Sequence, residues 1–175
     1  MEDLSNLKVL ISEEELNKRA QELADQIYKD YNGQEVTFIC ILKGSIFFTV
    51  ELSKRMKSDV NFEFIRGSSY HGQNSTGVIE MKVELQGDIK DKDVIIIEDI
   101  IDTGRTLSYL TEYLKSKGPR SLKICSLLDK KERRECKMEA DYVGFDIPDV
   151  FVLGYGLDVD EKYRNLPYIG YFENV

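Results

Sequence analysis

The sequence predicts an α/β fold in which a mainly parallel, twisted sheet is covered by helices on both faces. Two observations lead to this prediction. Continuous apolar runs, such as residues 38–42 and 94–97, are typical of strands that are buried on both faces. Segments with the apolar spacing of helices alternate with these strands, and this alternation favours parallel strands joined by helices. Ligands bind beyond the carboxyl ends of the strands in such sheets, so the residues that follow each strand are the first candidates for a site.

Length and charge limit the classes of protein that fit the sequence. The chain has 175 residues, which predicts one domain over residues 1–175. It carries 24 Lys and Arg against 32 Asp and Glu, and the net charge of −8 argues against binding to nucleic acid. No apolar run reaches the length of a membrane span, and the acidic start Met1-Glu2-Asp3 does not resemble a signal peptide, so no membrane association is expected.

The three cysteines and the single histidine limit the kinds of catalytic and metal site that the chain can form. Cys40 and Cys125 lie inside apolar runs, and with Cys136 the count is odd, which predicts reduced thiols and a cytoplasmic location. The only histidine, His71, lies in a polar loop and is expected to be exposed and not catalytic. A Ser-His-Asp hydrolase and a zinc site are therefore not expected.

The first half of the chain contains two predicted helices and three predicted strands. Ser12 and Glu15 have the spacing of a capping box, which predicts a helix over residues 12–31 that ends at Asn32-Gly33. A second, apolar helix is predicted over residues 46–56. The strands are predicted over residues 36–42, 60–66 and 78–85. The polar, glycine-containing loop between the last two, residues 67–77, is long enough to indicate a lid.

The second half alternates more regularly. A buried strand is predicted over residues 93–97, and a helix over residues 105–117 is stopped by Gly118-Pro119. The next strand is predicted over residues 121–128 and is followed by two short strands at 143–145 and 151–155. Strand, helix and strand thus follow one another, as in a parallel sheet.

The turn that leads into the predicted helix at 105–117 has the composition of a phosphate site. Thr103, Gly104 and Thr106 lie where the backbone N–H groups of a helix start are free. A phosphate there would meet these donors, two hydroxyl groups and the positive end of the helix dipole. The pattern is not a Walker loop, because it lacks the Gly-x-x-x-x-Gly-Lys-Ser/Thr spacing.

Three acids flank this turn. Glu98 and Asp99 follow the strand predicted at 93–97, and two carboxylates that face opposite ways there would hold ribose hydroxyls on one side and a hydrated Mg²⁺ on the other. Asp102 is a candidate general base. An alternative interpretation is that these acids only complement the dipole of the following helix.

Residues 94–107 (VIIIEDIIDTGRTL) resemble the phosphoribosyl-pyrophosphate-binding motif of the type I phosphoribosyltransferases. Other segments of the chain are also similar to that family, and within it to the short bacterial enzymes that act on hypoxanthine and guanine. These segments are Leu42-Lys43-Gly44, Ser69-Tyr70, residues 126–130, residues 151–158 and residues 163–167. The resemblance implies the type I phosphoribosyltransferase fold, a parallel sheet with a small hood formed by the chain ends.

The resemblance also implies a role for particular residues. The phosphoribosyl group and its 5-phosphate would be bound by Glu98, Asp99, Asp102, Thr103, Gly104, Arg105 and Thr106. Pyrophosphate would be bound by Lys43, Gly44 and Arg164, with a cis peptide expected between Lys43 and Gly44. Ser69 and Tyr70 would belong to the lid, and the purine would contact Lys130, Phe151, Val152 and Asp158. The implied cofactor is Mg²⁺, held by Glu98, Asp99 and Asp158.

Composition alone gives a plainer interpretation of three of these residues. A phenylalanine that opens an apolar strand is expected in the core, which would bury Phe151. Lys130 belongs to the charged run at residues 129–134, which by itself indicates a solvated loop. Asp158 would likewise be a solvated acid beside Asp160 and Glu161.

The implied activity is purine salvage: transfer of the 5-phosphoribosyl group from phosphoribosyl pyrophosphate to hypoxanthine, or guanine, to give IMP or GMP and pyrophosphate. Two alternatives remain open at this point. One is a xanthine–guanine phosphoribosyltransferase, and the other is a non-catalytic regulator that senses phosphoribosyl pyrophosphate. The resemblance further implies a homodimer or a homotetramer.

Overall fold

The computed structural model describes residues 6–69 and 79–172. Three helices are present in these residues: α1 (Glu13–Asp30), α2 (Ile46–Arg55) and α3 (Arg105–Lys115). The strands are β1 (Leu7–Ile11), β2 (Val36–Ile41), β3 (Val60–Ser69), β4 (Ile79–Val83), β5 (Asp93–Ile101), β6 (Ser121–Asp129), β7 (Tyr142–Asp146), β8 (Val152–Leu153) and β9 (Ile169–Phe172). A short 3-10 helix covers Lys131–Arg133.

Six strands form the main sheet in the order β4-β3-β2-β5-β6-β7. The five strands from β3 to β7 in this order are parallel, and only the edge strand β4 pairs antiparallel with β3. The prediction of a mainly parallel sheet is therefore confirmed. The carboxyl ends of β2, β5 and β6 lie next to one another at one edge of the sheet.

The two faces of the sheet are covered by different helices. Ile95 and Ile97 of β5 pack in the cluster that contains the buried residues of α1 and α2, whereas Val94 and Ile96 pack with those of α3. These four side chains are fully buried. Complete burial of each such side chain is worth about 1.5–3 kcal/mol, so this stretch of β5 contributes to the core on both faces of the sheet.

A second, smaller sheet joins the two ends of the chain. Its strands are antiparallel and lie in the order β1-β9-β8. The small hood that the resemblance implied is thus present. Neither β1 nor β9 was predicted as a strand from local pattern, because β1 is only half-buried and each of the two needs a partner more than 150 residues away.

Strand β5 is longer than predicted. Its pairing with β6 continues from Asp93 opposite Ser121 to Ile101 opposite Asp129. Glu98 and Asp99 consequently lie within the strand and not after it, which corrects the boundary expected at residue 97. The additional pairing fixes the backbone of both acids.

Two further expectations concern the membrane and the cysteines. Within residues 6–69 and 79–172, no helix has the length and apolar character that crossing a membrane requires.

Cys40 and Cys125 are buried free thiols, and burial raises the pKa of both. Cys136 is a half-buried free thiol. The cytoplasmic location expected from the cysteines stays a prediction.

The capping box of α1 generates a test of stability. The Ser12 hydroxyl accepts a hydrogen bond from the Glu15 backbone at 3.3 Å, and the Glu15 carboxylate accepts one from the Ser12 backbone at 2.8 Å. We expect Ser12→Ala to lower the free energy of unfolding by about 1 kcal/mol, measured by urea denaturation, because a helix N–H loses its partner. Lys18→Ala, at an exposed position of the same helix, is the control and should change stability by less than about 0.5 kcal/mol. An equal loss in both variants would contradict the role of the cap.

Candidate active site

Four segments that follow strands meet at the carboxyl edge of the main sheet. They are residues 42–45 after β2, residues 98–104 at the end of β5, Lys130 after β6 and residues 154–158 after β8. The Lys130 backbone donates a hydrogen bond of 3.0 Å to the Ile101 carbonyl, which ties the ends of β6 and β5 together. Gly156 packs so closely on Gly44 that a Cβ at position 156 would lie 1.9 Å from the Gly44 carbonyl oxygen.

The carboxylates of the adjacent residues Glu98 and Asp99 are both largely buried from water. The Oε2 atom of Glu98 is buried and has no hydrogen-bond partner, whereas Asp99 Oδ1 accepts a bond of 2.8 Å from the Ile100 backbone. Burial and then the charge of Asp99 raise the pKa of Glu98 well above its usual range. Burial raises the pKa of Asp99 to about 6, against the opposing effect of backbone hydrogen bonds and of Arg164. Each carboxylate therefore lacks a full counter-charge.

The two acids face different neighbours, as expected for adjacent residues of a strand. Glu98 lines a cavity of about 110 Å³ together with the turn at residues 100–104 and the start of α3. Asp99 lies against Gly44, where an added Cβ would be 1.5 Å from Asp99 Oδ2. Glycine is therefore required at position 44 because the backbone of this loop touches the acid.

The cis peptide expected in this loop is displaced by one residue. It joins Leu42 to Lys43, not Lys43 to Gly44. The expectation placed the unusual bond at the glycine, but Gly44 serves the close approach to Asp99 instead.

The turn before α3 has the geometry of an anion site. Gly104 is the N-cap of α3 and has φ of 81°, a left-handed conformation that glycine adopts without strain. The cavity beside Glu98 is also lined by Asp102, Thr103, Gly104 and Thr106, so the predicted phosphate residues are brought together. Asp99 and Arg105 are the exceptions, because Asp99 lies against Gly44 and the Arg105 side chain is 72% exposed and paired with Glu135.

The charged run after β6 supports this turn. Arg134 forms an ion pair with the buried Asp129 and lies against Gly104. The backbones of Glu135 and Cys136 donate hydrogen bonds of 3.0 and 3.3 Å to the Thr103 carbonyl. The interpretation of residues 129–134 as merely a solvated loop is therefore wrong, because part of the run packs on the turn.

Two of the residues predicted to bind the purine, Lys130 and Phe151, differ in burial from what composition alone indicated. Lys130 is buried, with 6% of its surface exposed, although its neighbours in the sequence indicated a solvated loop. Phe151 is 56% exposed, so the interpretation as a core residue is wrong. Val152 is buried in β8 and pairs with Tyr171 of β9. A buried charged donor thus follows β6, and an exposed aromatic ring directly precedes β8.

Asp102 and Lys130 are linked by two residues that the sequence analysis did not single out. Arg133 Nε lies 3.2 Å from Asp102 Oδ1, and Arg133 Nη1 lies 3.7 Å from Asp149 Oδ1. The same Asp149 oxygen lies 3.7 Å from Lys130 Nζ. Arg133 belongs to the charged run at residues 129–134, and Asp149 precedes Phe151 by two residues. Closeness in sequence to predicted site residues was therefore the signal that could have identified them.

Lys43 and Arg164, the two cations predicted to bind pyrophosphate, form ion pairs with acidic side chains. Arg164 Nη2 is 2.8 Å from Asp158 Oδ1, and Arg164 Nη1 donates a hydrogen bond of 2.7 Å to the Gly156 carbonyl. Lys43 Nζ is 2.8 Å from Glu161 Oε2, an acid that the sequence analysis left in a solvated loop. Asp158 is half-buried and paired, which contradicts its interpretation as a solvated acid.

The predicted lid lies mostly outside the described residues. Tyr70 and His71 belong to the part that is not described, and Ser69 is placed only by its backbone, at the end of β3 opposite Ile79 of β4. The roles of Ser69 and Tyr70 therefore stay predictions.

A hard cation fits the acids that are present. The donors are carboxylate oxygens, and the buried Glu98 Oε2 has no partner of its own. Among the residues that the structure describes, no three His, Cys, Asp or Glu side chains form a group able to hold a metal ion. Mg²⁺ does not need such a group, because it usually takes one or two carboxylates, several waters and substrate phosphates.

Comparison with known proteins agrees with this geometry. Residues 11–160 match the family model of the phosphoribosyl transferase domain. The chain is 49% identical to the hypoxanthine-guanine phosphoribosyltransferase of Staphylococcus aureus strain Mu50 over 164 residues, which are 93% of this chain and 92% of that protein. The chain belongs to the phosphoribosyltransferase family, as the motif at residues 94–107 indicated.

Solved structures give the same result for the fold. A crystal structure of a hypoxanthine phosphoribosyltransferase from Staphylococcus aureus has a TM-score of 0.92 and 46% identity, and the match covers 99% of this chain and 96% of that one. A hypoxanthine-guanine phosphoribosyltransferase from Bacillus anthracis has a TM-score of 0.90 and 47% identity, with coverage of 94% and 97%. The predicted type I phosphoribosyltransferase fold is confirmed.

The buried charge of Asp99 generates a prediction for the ligand-free protein. A carboxyl group whose pKa is raised on folding destabilises the folded state as the pH rises from its unfolded pKa, near 4, to its folded pKa of about 6. We expect Asp99→Asn to have a higher melting temperature than wild type above pH 6, in EDTA, and the difference to disappear towards pH 4.

The control is Asp91→Asn, which changes an exposed acid in the turn before β5. Its melting temperature should follow that of wild type across the same pH range. A difference for Asp99→Asn that stays constant between pH 4 and pH 7 would show that burial of the charge is not the cause.

Proposed function

We propose that the chain transfers the 5-phosphoribosyl group of phosphoribosyl pyrophosphate to a 6-oxopurine, with hypoxanthine preferred to guanine and guanine to xanthine. The observation that carries this proposal is the convergence of a phosphate turn, an acid pair and a buried lysine at one sheet edge. The names of the relatives, which are hypoxanthine-guanine phosphoribosyltransferases, support the same substrates.

The reaction exchanges one bond at C1 of the ribose for another. The bond from C1 to the pyrophosphate oxygen breaks, pyrophosphate leaves with the electron pair, a ring nitrogen of the purine bonds to C1, and the proton lost from the purine ring passes to the Asp102 carboxylate as general base. Such a reaction needs charge neutralisation and positioning more than covalent help from the protein. In this proposal the turn at residues 102–106 holds the 5-phosphate, and Lys43, Gly44 and Arg164 hold the pyrophosphate.

Magnesium would be held by one or two of the carboxylates of Glu98, Asp99 and Asp158, together with waters and substrate oxygens. When bound, Mg²⁺ neutralises the phosphate oxygens of the substrate and the leaving pyrophosphate. The chain's own contribution is to keep Glu98 and Asp99 buried and short of counter-charge, so that they would favour a cation once the substrate arrives.

The purine would be recognised by Lys130 and Phe151. An ammonium group has three donors and no acceptor, so it matches the carbonyl oxygen at position 6 of hypoxanthine and opposes the amino group of adenine. The exposed ring of Phe151 offers a flat apolar surface to the base, and the segment from Val152 to Asp158 borders it. The homodimer or homotetramer implied by the resemblance stays a prediction.

The proposal is tested by a turnover assay with phosphoribosyl pyrophosphate and each of hypoxanthine, guanine, xanthine and adenine, with Mg²⁺ or with EDTA. We expect turnover of the 6-oxopurines only in the presence of Mg²⁺, and a preference over adenine of roughly 10⁴-fold. No turnover of any base, despite binding of phosphoribosyl pyrophosphate, would favour a sensor. Xanthine ahead of hypoxanthine would favour the xanthine–guanine enzyme.

Lys130→Met tests whether Lys130 recognises the purine. The substitution keeps the apolar stem and removes the donors, so kcat/KM for hypoxanthine should fall roughly 10- to 100-fold while discrimination against adenine is lost. The matched control is Lys131→Met, since Lys131 is exposed and paired with Asp146 at 2.9 Å. If Lys131→Met alters the preference as strongly, the selectivity does not come from Lys130.

Asp102→Asn tests the general base. An amide cannot take the proton that leaves the purine ring, so kcat should fall roughly 10²- to 10⁴-fold. The Kd of phosphoribosyl pyrophosphate should change little, because the amide fits the same turn. A kcat within about threefold of wild type, too small a change for the loss of a base, would exclude this role.

A further inference from the structure

A single carboxylate oxygen joins the two cations that are assigned to pyrophosphate. Glu161 Oε2 lies 2.8 Å from Lys43 Nζ and 3.3 Å from Arg164 Nη2. The hydrogen bonds from these two cations hold the pKa of Glu161 below its usual range, so the group is charged at neutral pH. One anionic oxygen shared between a lysine and an arginine is the arrangement that a phosphate oxygen would adopt between them.

The turn that carries Glu161 does not depend on this contact. Asp158 Oδ2 accepts a hydrogen bond of 2.8 Å from the Glu161 backbone, and Val159 and Lys162 exchange backbone bonds of 3.2 and 2.9 Å. Arg164 is anchored separately by the Gly156 carbonyl and by Asp158. The Glu161 side chain can therefore move away without loss of the turn.

The exposure of the three side chains indicates which of them would move. The Glu161 side chain is 60% exposed and the Lys43 side chain 42%, whereas Arg164 is only 22% exposed. Exposed ion pairs contribute little, about 0–1 kcal/mol, so their exchange for stronger contacts to a phosphate group is cheap. Glu161 is thus an easily displaced partner of Lys43 and Arg164, and Arg164 keeps its other contacts when Glu161 moves away.

We propose that Glu161 is an internal stand-in for pyrophosphate, which neutralises Lys43 and Arg164 in the ligand-free protein and competes with the pyrophosphate group for them. This inference rests on the proposed function. It makes Glu161 a determinant of affinity at the pyrophosphate end of the site, where it weakens binding of the substrate and speeds release of the product.

Glu161→Gln removes the charge and keeps the size of the side chain. We expect the Kd of pyrophosphate with excess Mg²⁺, measured by calorimetry, to fall about three- to tenfold, the effect of losing two exposed ion pairs. The KM of phosphoribosyl pyrophosphate should fall by a similar factor. The Kd of IMP, which carries no pyrophosphate group, should not change. The gain should shrink in high salt, which screens exposed charges.

Asp160→Asn is the matched control. It removes the same unit of charge from an exposed neighbour in the same turn, for which the structure gives no contact with Lys43 or Arg164. Unchanged or weaker binding of pyrophosphate by Glu161→Gln overturns the inference, as does an equal gain in Asp160→Asn. A gain in affinity cannot result from partial unfolding.

Failure of the inference and failure of the proposed function give different results. Wild-type protein that binds pyrophosphate but turns over no base contradicts the proposed function alone, and the two variants still decide the role of Glu161. Wild-type protein that turns over hypoxanthine, with the Kd of pyrophosphate equal in all three proteins, contradicts only the inference.

Discussion

The pairing of β5 with both of its neighbours constrains the rest of the site. Parallel strands β2 and β6 enclose β5, and the four side chains from Val94 to Ile97 are removed from water on both faces. The pairing with β6 continues past this apolar stretch, so Glu98 and Asp99 cannot turn towards solvent without breaking the sheet. The core thus holds two carboxylates where their charge is poorly compensated, which is the basis of the proposed cation site.

Close backbone contacts then bring the cations to these acids. Gly44 lies against Asp99, and Gly156 lies against Gly44, so three loops from distant parts of the sequence stack without intervening side chains. A side chain at either glycine would clash with its neighbour and push residues 42–45 away from Asp99 or from Gly156. Lys43 adjoins Gly44, and Arg164 donates a hydrogen bond to the Gly156 carbonyl, so the stacking brings both cations to this edge of the site.

Each cation of the site is already paired with an acid in the ligand-free protein. Lys43 and Arg164 contact Glu161, whereas Arg133 and Lys130 contact Asp149. Burial of an unpaired ammonium such as that of Lys130 would be costly, so an internal acid stabilises it until a ligand arrives. The proposed binding at both ends of the site would therefore exchange these partners, and affinity would depend on the acids that are displaced as well as on the cations.

Local patterns in the sequence were sufficient for most of the main sheet. The capping box at Ser12 fixed the start of α1, and the apolar runs located β2, β5 and β6, because these signals depend on neighbours within a few residues. The turn at residues 98–106 was also recognisable, since its acids, hydroxyls and glycine are contiguous. The hood was not visible in local pattern, because β1 and β9 become strands only by pairing across nearly the whole chain.

Tertiary structure decided what each charged or aromatic residue does. Lys130 is buried and Phe151 is exposed, the reverse of what composition indicated. The reason is that burial depends on which elements pack over the carboxyl edge of the sheet. Glu161 and Arg133 were indistinguishable from solvated charges in the sequence, since Lys43 lies 118 positions from Glu161 and Asp102 lies 31 positions from Arg133. The sequence by itself determined the class of fold and the chemistry available, whereas the fold alone determined which charges meet, because Coulomb interactions depend on distance in space and not along the chain.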